Sequence, residues 1–255
     1  MQARYHLCFA AVFLGLLGCS KAGGSASPGT PAASAAQAGS YELVTVQRPE
    51  SVAAYHKMYA ASYEMCAALR KTLKMPPPAP MLQPAADYVI QRDTYVSDGR
   101  AYLTKEEHFL YTMEDMEPTP TCRTFLQTTS NTQLIRDGKM YNSSVDEKGV
   151  RQAEPPDEWS LPRDRESKVY TEAATIKGIA VKCMKMLPGA QELLTQLCIA
   201  DLNPGTVADI IGKPIVLASR VTAVQQMQGA ILTEPVSLRV NVPVDRAIFD
   251  AAAAP

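Results

Sequence analysis

The sequence predicts an α+β fold in which a curved antiparallel sheet wraps around one long N-terminal helix. Three observations carry that expectation. Tyr55, Tyr59 and Tyr63 recur every four residues inside an uninterrupted helical pattern over 50–74. The chain beyond it breaks into short alternating stretches of strand character. Asp98-Gly99 and Asp137-Gly138 sit between such stretches, where tight hairpins need residues that tolerate positive φ.

Residues 41–47 (YELVTVQ) alternate and open the body with a strand. The helix follows Pro49, and Pro76, Pro77 and Pro78 end it. Segments 87–97 and 101–113 flank Asp98-Gly99 as a first hairpin, and 121–129 reads as a further strand. Segments 132–136 and 139–143 flank Asp137-Gly138 as a second. The polar, proline-rich stretch 145–168 reads as a surface loop carrying Trp159, the only tryptophan. Strands at 177–187 and 194–200 turn around Pro188-Gly189. A third hairpin, 214–227 with 230–241, turns around Gln228-Gly229, and 244–252 closes the chain as a short helix. One domain over 41–255 accounts for all of these.

Composition narrows the function classes. Of 255 residues 46% are hydrophobic and 20% charged, enough for a packed core. The formal charge is −1, so no broad positive field gathers nucleic acid, and no nucleic-acid partner is expected.

The N-terminus carries the sharpest motif. Residues 7–17 (LCFAAVFLGLL) form an apolar run too short to span a bilayer, as in a cleavable export signal. It ends in Leu16-Leu17-Gly18-Cys19, which resembles the lipobox of bacterial lipoproteins. The resemblance implies cleavage after residue 18, acylation of Cys19 and anchoring in a membrane. Ser20 after the cysteine implies the outer membrane. Residues 19–40 are Ala/Gly/Ser/Pro-rich and read as a flexible tether with a mean span of about 25 Å.

With Cys8 in the signal and Cys19 lipidated, Cys66, Cys122, Cys183 and Cys198 remain, an even number for an oxidising compartment. Three pairings are open. An antiparallel register across Pro188-Gly189 sets Cys183 opposite Cys198 within disulfide reach, which favours that pair and leaves Cys66 with Cys122. No C-x-x-C-like spacing suggests a metal, and no cofactor is expected.

The helix, the Asp-Gly hairpins, IKGIAVKCMKM leading into LCIAD, and GKPIVLASRVT followed by PVSLRVNVPVDRAIF are similar, in pattern and order, to the half-barrel of outer-membrane lipoprotein carriers and receptors and of related envelope lipoproteins. The resemblance implies a non-enzymatic envelope lipoprotein holding an apolar ligand, such as a lipid or lipoprotein acyl chain, in a half-barrel cavity. Face periodicity assigns Tyr55, Tyr59, Tyr63, Val89, Tyr102, Leu110, Ile179, Val216 and Leu217 to its lining. The alternative is an interaction module that docks an envelope protein partner through the loop around Trp159.

Catalytic signals are thin. His56 and His108 are the histidines of the mature chain, and no G-x-S-x-G accompanies them. Glu106-Glu107 and Glu114-Asp115 with Glu117 supply carboxylates that could pair for glycoside hydrolysis, but they read as solvated strand faces and a loop. Gly212-Lys213-Pro214 lacks a phosphate-loop frame. No catalytic residue is assigned.

Overall fold

The computed structural model describes residues 40–114, 119–159, 170–184, 194–200, 216–222 and 230–254. The expected signal, Cys19 and the tether to residue 39 lie outside these, as do the turns at Pro188-Gly189 and Gln228-Gly229.

The first half of the body holds β1 (Tyr41–Pro49), α1 (Val52–Tyr55), α2 (Lys57–Thr72), β2 (Gln91–Ser97), β3 (Tyr102–Met113), β4 (Thr124–Arg136) and β5 (Lys139–Val145). The short strands β6 (Arg151–Ala153) and β7 (Asp157–Glu158) follow. The second half holds β8 (Tyr170–Ile176), β9 (Ile179–Met184), β10 (Leu194–Ala200), β11 (Val216–Thr222), β12 (Ala230–Val240) and α3 (Ala247–Ala253). All strands join one antiparallel sheet in the order β6-β5-β4-β3-β2-β1-β12-β11-β10-β9-β8, with β7 beside β5. The first and last strands of the chain meet at its centre, where β1 pairs with β12. The sheet is open.

The expected α+β architecture is therefore corrected: the molecule is mostly antiparallel β-sheet, and no long helix lies inside it. The stretch 50–74 breaks at His56 into α1 and α2. Ser51 caps α1, its Oγ accepting from the Ala54 N–H at 3.2 Å. Lys74 ends α2 at φ 55, before the prolines are reached. There the Met75 N–H donates to the Arg70 carbonyl and the Lys74 N–H to that of Lys71, a Schellman closure. Only Cys66 of α2 is buried, while Met58, Met65 and Leu69 stay exposed. A helix that buries one side chain cannot be the core of the fold.

The sheet instead packs on its own side chains. Tyr41 and Leu43 of β1, Tyr102 of β3 and Ile135 of β4 cluster with Val181, Cys183, Cys198 and Leu217 from β9–β11. These residues share one face, called inner here. Burying each such Leu or Val contributes about 1.5–3 kcal/mol. On the outer face Val96, Leu103 and Leu134 pack under Val244 and Phe249, where α3 docks. The outer face also carries Tyr111, against which His56 and Tyr59 of the α1–α2 segment stack at ring-centroid distances of 5.2 and 6.2 Å.

Turn chemistry explains the hairpins. Asp137 and Gly138 adopt φ 53 and 71 between the facing residues Arg136 and Lys139, as a two-residue hairpin demands. Around Asp98-Gly99 the loop is wider, because Asp98 Oδ1 accepts from the N–H groups of Arg100 and Ala101. Lys177-Gly178 makes a further tight turn, φ 49 and 82, joining β8 to β9. Segments 121–129 and 132–136, expected as two strands, form the single β4. The proline-rich loop contains β6 and β7.

Two disulfides tie the fold. Cys183–Cys198 joins facing residues of β9 and β10, and Cys66–Cys122 holds α2 to the segment before β4. In the loop-closure account they contribute about 3 and 4 kcal/mol for loops of 15 and 56 residues.

Candidate functional site

Strand pairing arranges the inner face in rows that cross the sheet. Met140, Ile135, Tyr102, Ser97 and Tyr41 form one row on β5, β4, β3, β2 and β1. Two residues along, the row reads Asn142, Gln133, Thr104, Tyr95 and Leu43. Two further, it reads Ser144, Asn131, Glu106, Asp93 and Thr45. On β1, β3, β4 and β5 the same face thus changes from apolar to polar over four residues.

A hollow lies over all three rows, with Tyr102, Ile135 and Met140 at its apolar side. A cleft of about 650 Å³ lies over β2–β6, and Trp159 forms part of its wall. Its volume falls within the roughly 300–1,000 Å³ common for ligand sites. A second cleft of about 330 Å³ adjoins it between β1–β3 and β10–β12, sharing Tyr95 and Glu106 with the first. Trp159 reaches the wall because its N–H donates to the Gly138 carbonyl at 2.9 Å, folding the end of β7 back over the hairpin. Its side chain packs against the inner cluster. The loop expected around Trp159 is exposed over 147–158, as read from the sequence, but Trp159 itself is half-buried, and 160–168 lie outside the described residues.

Amide side chains from neighbouring strands stand together in the larger cleft. The Gln133 Nε2 donates to Asn142 Oδ1 at 3.3 Å and to Met140 Sδ at 3.2 Å. An Asn or Gln amide offers two donors and two acceptor sites, so these contacts use the Gln133 donors and leave its carbonyl oxygen for a ligand. The described lining residues include acidic side chains and no Lys, Arg or His: Glu106 and Glu154 in the first cleft, Asp93 and Glu106 in the second.

Asp93 and Glu106 face each other directly across β2 and β3. Asp93 is 4% exposed, and the Gln91 Nε2 donates to its Oδ1 at 2.7 Å while Thr45 Oγ1 lies 3.5 Å from its Oδ2. Burial pushes its carboxyl above the usual range, opposed by hydrogen bonds from Gln91, Gln47 and Thr45 and by His108. Burial likewise raises the Tyr95 and Tyr102 phenols, so both stay neutral donors. Glu106 is accessible, its side chain 44% exposed, with His108 Nε2 at 3.9 Å from its Oε2. A carboxyl as enclosed as Asp93 orients its neighbours better than it reaches a scissile bond.

Of the residues assigned to an apolar lining, Tyr102 and Val216 border the two clefts. Leu217 is in the inner core cluster and Ile179 packs against it. Val89 precedes β2, half-buried, and Leu110 is exposed. Tyr55, Tyr59 and Tyr63 stand on the helices. The Tyr59 and Tyr63 hydroxyls donate to the carbonyls of Leu82 and Ala79 at 3.3 and 2.5 Å, gripping the segment after α2. Tyr55, Tyr59, Tyr88 and Tyr111 surround His56, whose Nε2 is buried without a hydrogen-bond partner among the described residues. Burial lowers the His56 imidazole below its usual pKa. The tyrosines belong to a packed aromatic cluster.

Sequence reasoning missed Asp93, Asn131, Gln133 and Asn142. Polar residues at alternating strand positions read as a solvent face, and nothing local says that this face turns inward. Glu106 was visible but indistinguishable from Glu107, which lies on the other face with Lys105 Nζ at 2.9 Å. Among the described residues no group of three or more His, Cys, Asp or Glu stands close enough to hold a metal. No described helix is long and apolar enough to cross a membrane. No family model, curated protein or solved structure matches the chain.

Chemically, the cleft suits contact with a polar ligand. An acyl chain gains about 0.8 kcal/mol per buried CH₂. Each amide or hydroxyl it strips of water without replacing the hydrogen bond costs about 1–3 kcal/mol. With Asn131, Gln133, Asn142 and Ser144 in one wall, that loss offsets several methylenes.

Proposed function

We propose that this chain is a lipid-anchored envelope protein, tethered at Cys19 to the outer membrane, that binds a ligand in the inner-face cleft without transforming it. The observation that carries the reading is the 650 Å³ cleft beside Trp159, whose polar wall is built on regular strands and fixed by their register. The Leu16-Leu17-Gly18-Cys19 motif and the tether behind it supply the anchoring half. Two acyl chains hold such a protein firmly where one would not. The other reading, docking of an envelope protein partner through the loop around Trp159, keeps the exposed residues 147–158 as its surface, while Trp159 itself is half-buried against the inner cluster.

The test has two parts. The full chain is expressed in a bacterial host with labelled palmitate, and label on the wild type but not on Cys19→Ala supports anchoring. The same protein, purified in mild detergent, is weighed by native mass spectrometry and again after denaturation. A stoichiometric mass lost on denaturation supports ligand binding. An unlabelled chain and a mass identical in both states would remove the two halves of the proposal.

A further inference from the structure

We infer that the cleft takes a neutral, hydroxyl-rich ligand of the saccharide class. The inference rests on the binding reading above and adds the chemistry of what is bound. Three independent features of the lining converge on it.

The first is the donor–acceptor balance. Asn131, Gln133 and Asn142 project from β4 and β5 beside Thr104 and Ser144. Amides and hydroxyls both donate and accept, which matches sugar hydroxyls that do the same. Gln133 directs its two amide N–H groups to Met140 and Asn142, which leaves its carbonyl oxygen to accept from a ligand hydroxyl. The second is charge. The described lining holds Asp93, Glu106 and Glu154 and no Lys or Arg. Such a wall repels phosphates, fatty-acid carboxylates and uronic acids, while its carboxylate oxygens accept from vicinal hydroxyls. The third is the aromatic wall. The Trp159 indole and the Tyr95 ring border the same space as the amides. A pyranose is polar at its rim and has C–H groups on its faces, so a ring pairs with the face while amides bond the rim. An acyl chain uses the rings and the Ile135 and Met140 side chains but leaves the amides unpaired, and an anion is opposed by the charge.

Trp159 is the only tryptophan, so its emission reports on the cleft alone. The full-length protein in mild detergent is titrated with cellotetraose, maltotetraose and chitotetraose, and with tetragalacturonate as the anionic counterpart. A saturable change in Trp159 emission with at least one neutral oligosaccharide is expected, together with no response to tetragalacturonate. Asn131→Ala combined with Gln133→Ala should weaken that binding at least about tenfold, at an unchanged melting temperature. Equal or stronger binding of tetragalacturonate overturns the inference, and so does silence from all three neutral sugars. In the silent case the mass lost on denaturation separates the two claims. A bound acyl lipid there overturns the saccharide class alone, whereas an empty protein overturns the binding reading with it.

Discussion

The two ends of the inner face are made by the same strands and do opposite things. At one end Tyr41, Tyr102, Ile135 and Leu217 close on Val181 and the Cys183–Cys198 bridge, and Tyr41 and Leu217 are at most 1% exposed. Four residues along β3 and β4 stand Glu106 and Asn131, in the wall of a cleft. Backbone pairing is continuous through both ends on β3 and β4. The strands are therefore held by hydrogen bonds throughout and by apolar burial at one end only. Rigidity is supplied by the closed end, which leaves the Glu106 side chain 44% exposed at the other.

The comparison yields predictions in descending order of effect. Leu43→Ala, at a fully buried position of the closed end, should cost about 2–5 kcal/mol in a urea melt. A cost below 1 kcal/mol would mean that the closed end is not the core. Replacing Cys183 and Cys198 together by Ala should cost about 3 kcal/mol. The signature to look for is a lower midpoint with trypsin cleavage appearing first in β8–β10.

Two smaller effects depend on pH and have opposite windows. Asp93 titrates above its ordinary value of 3.8 in the folded chain, so the folded state binds the proton more tightly than the unfolded one. Its ionisation therefore removes stability as pH rises from about 4 through the raised value. Asp93→Asn should melt higher than wild type at pH 7, and the gap should close on acidification to pH 3. His56 titrates below 6.5 when folded, so the unfolded chain binds its proton more readily. Stability is lost as pH falls below 6.5, and His56→Phe should flatten that part of the profile. An equal fall in melting temperature below pH 6.5 in wild type and His56→Phe would exclude His56 as its cause.

Much of the sheet was legible because its signals are local. The β4–β5 turn is written in Asp137-Gly138, and the Cys183–Cys198 pair follows from register across one hairpin. The helix was overread: tyrosines spaced by four mark a real face, but His56 breaks the helix and that face meets Tyr88, Tyr111 and the chain after α2. Strand β8 was missed because Lys177 occupies a position with φ 49 where Gly or Asn would have announced a turn. The continuity of β4 was hidden by Thr128-Thr129-Ser130-Asn131-Thr132, whose composition reads as a loop. Asn131 and Thr132, at the end of that run, line the cleft. Only the pairing of the strand with β3 and β5, a non-local property, tells such a wall from a loop.

The most direct test is a urea melt of the triple variant Thr104→Ala, Asn131→Ala, Gln133→Ala beside Tyr102→Ala. The account predicts that the triple variant unfolds within about 0.5 kcal/mol per site of wild type, as substitutions outside the core do. Tyr102→Ala, one row away, should lose about 3–5 kcal/mol, as large-to-small changes of buried aromatics do. A triple variant that unfolds as readily as Tyr102→Ala would show that the polar rows are structural, and would contradict a site there.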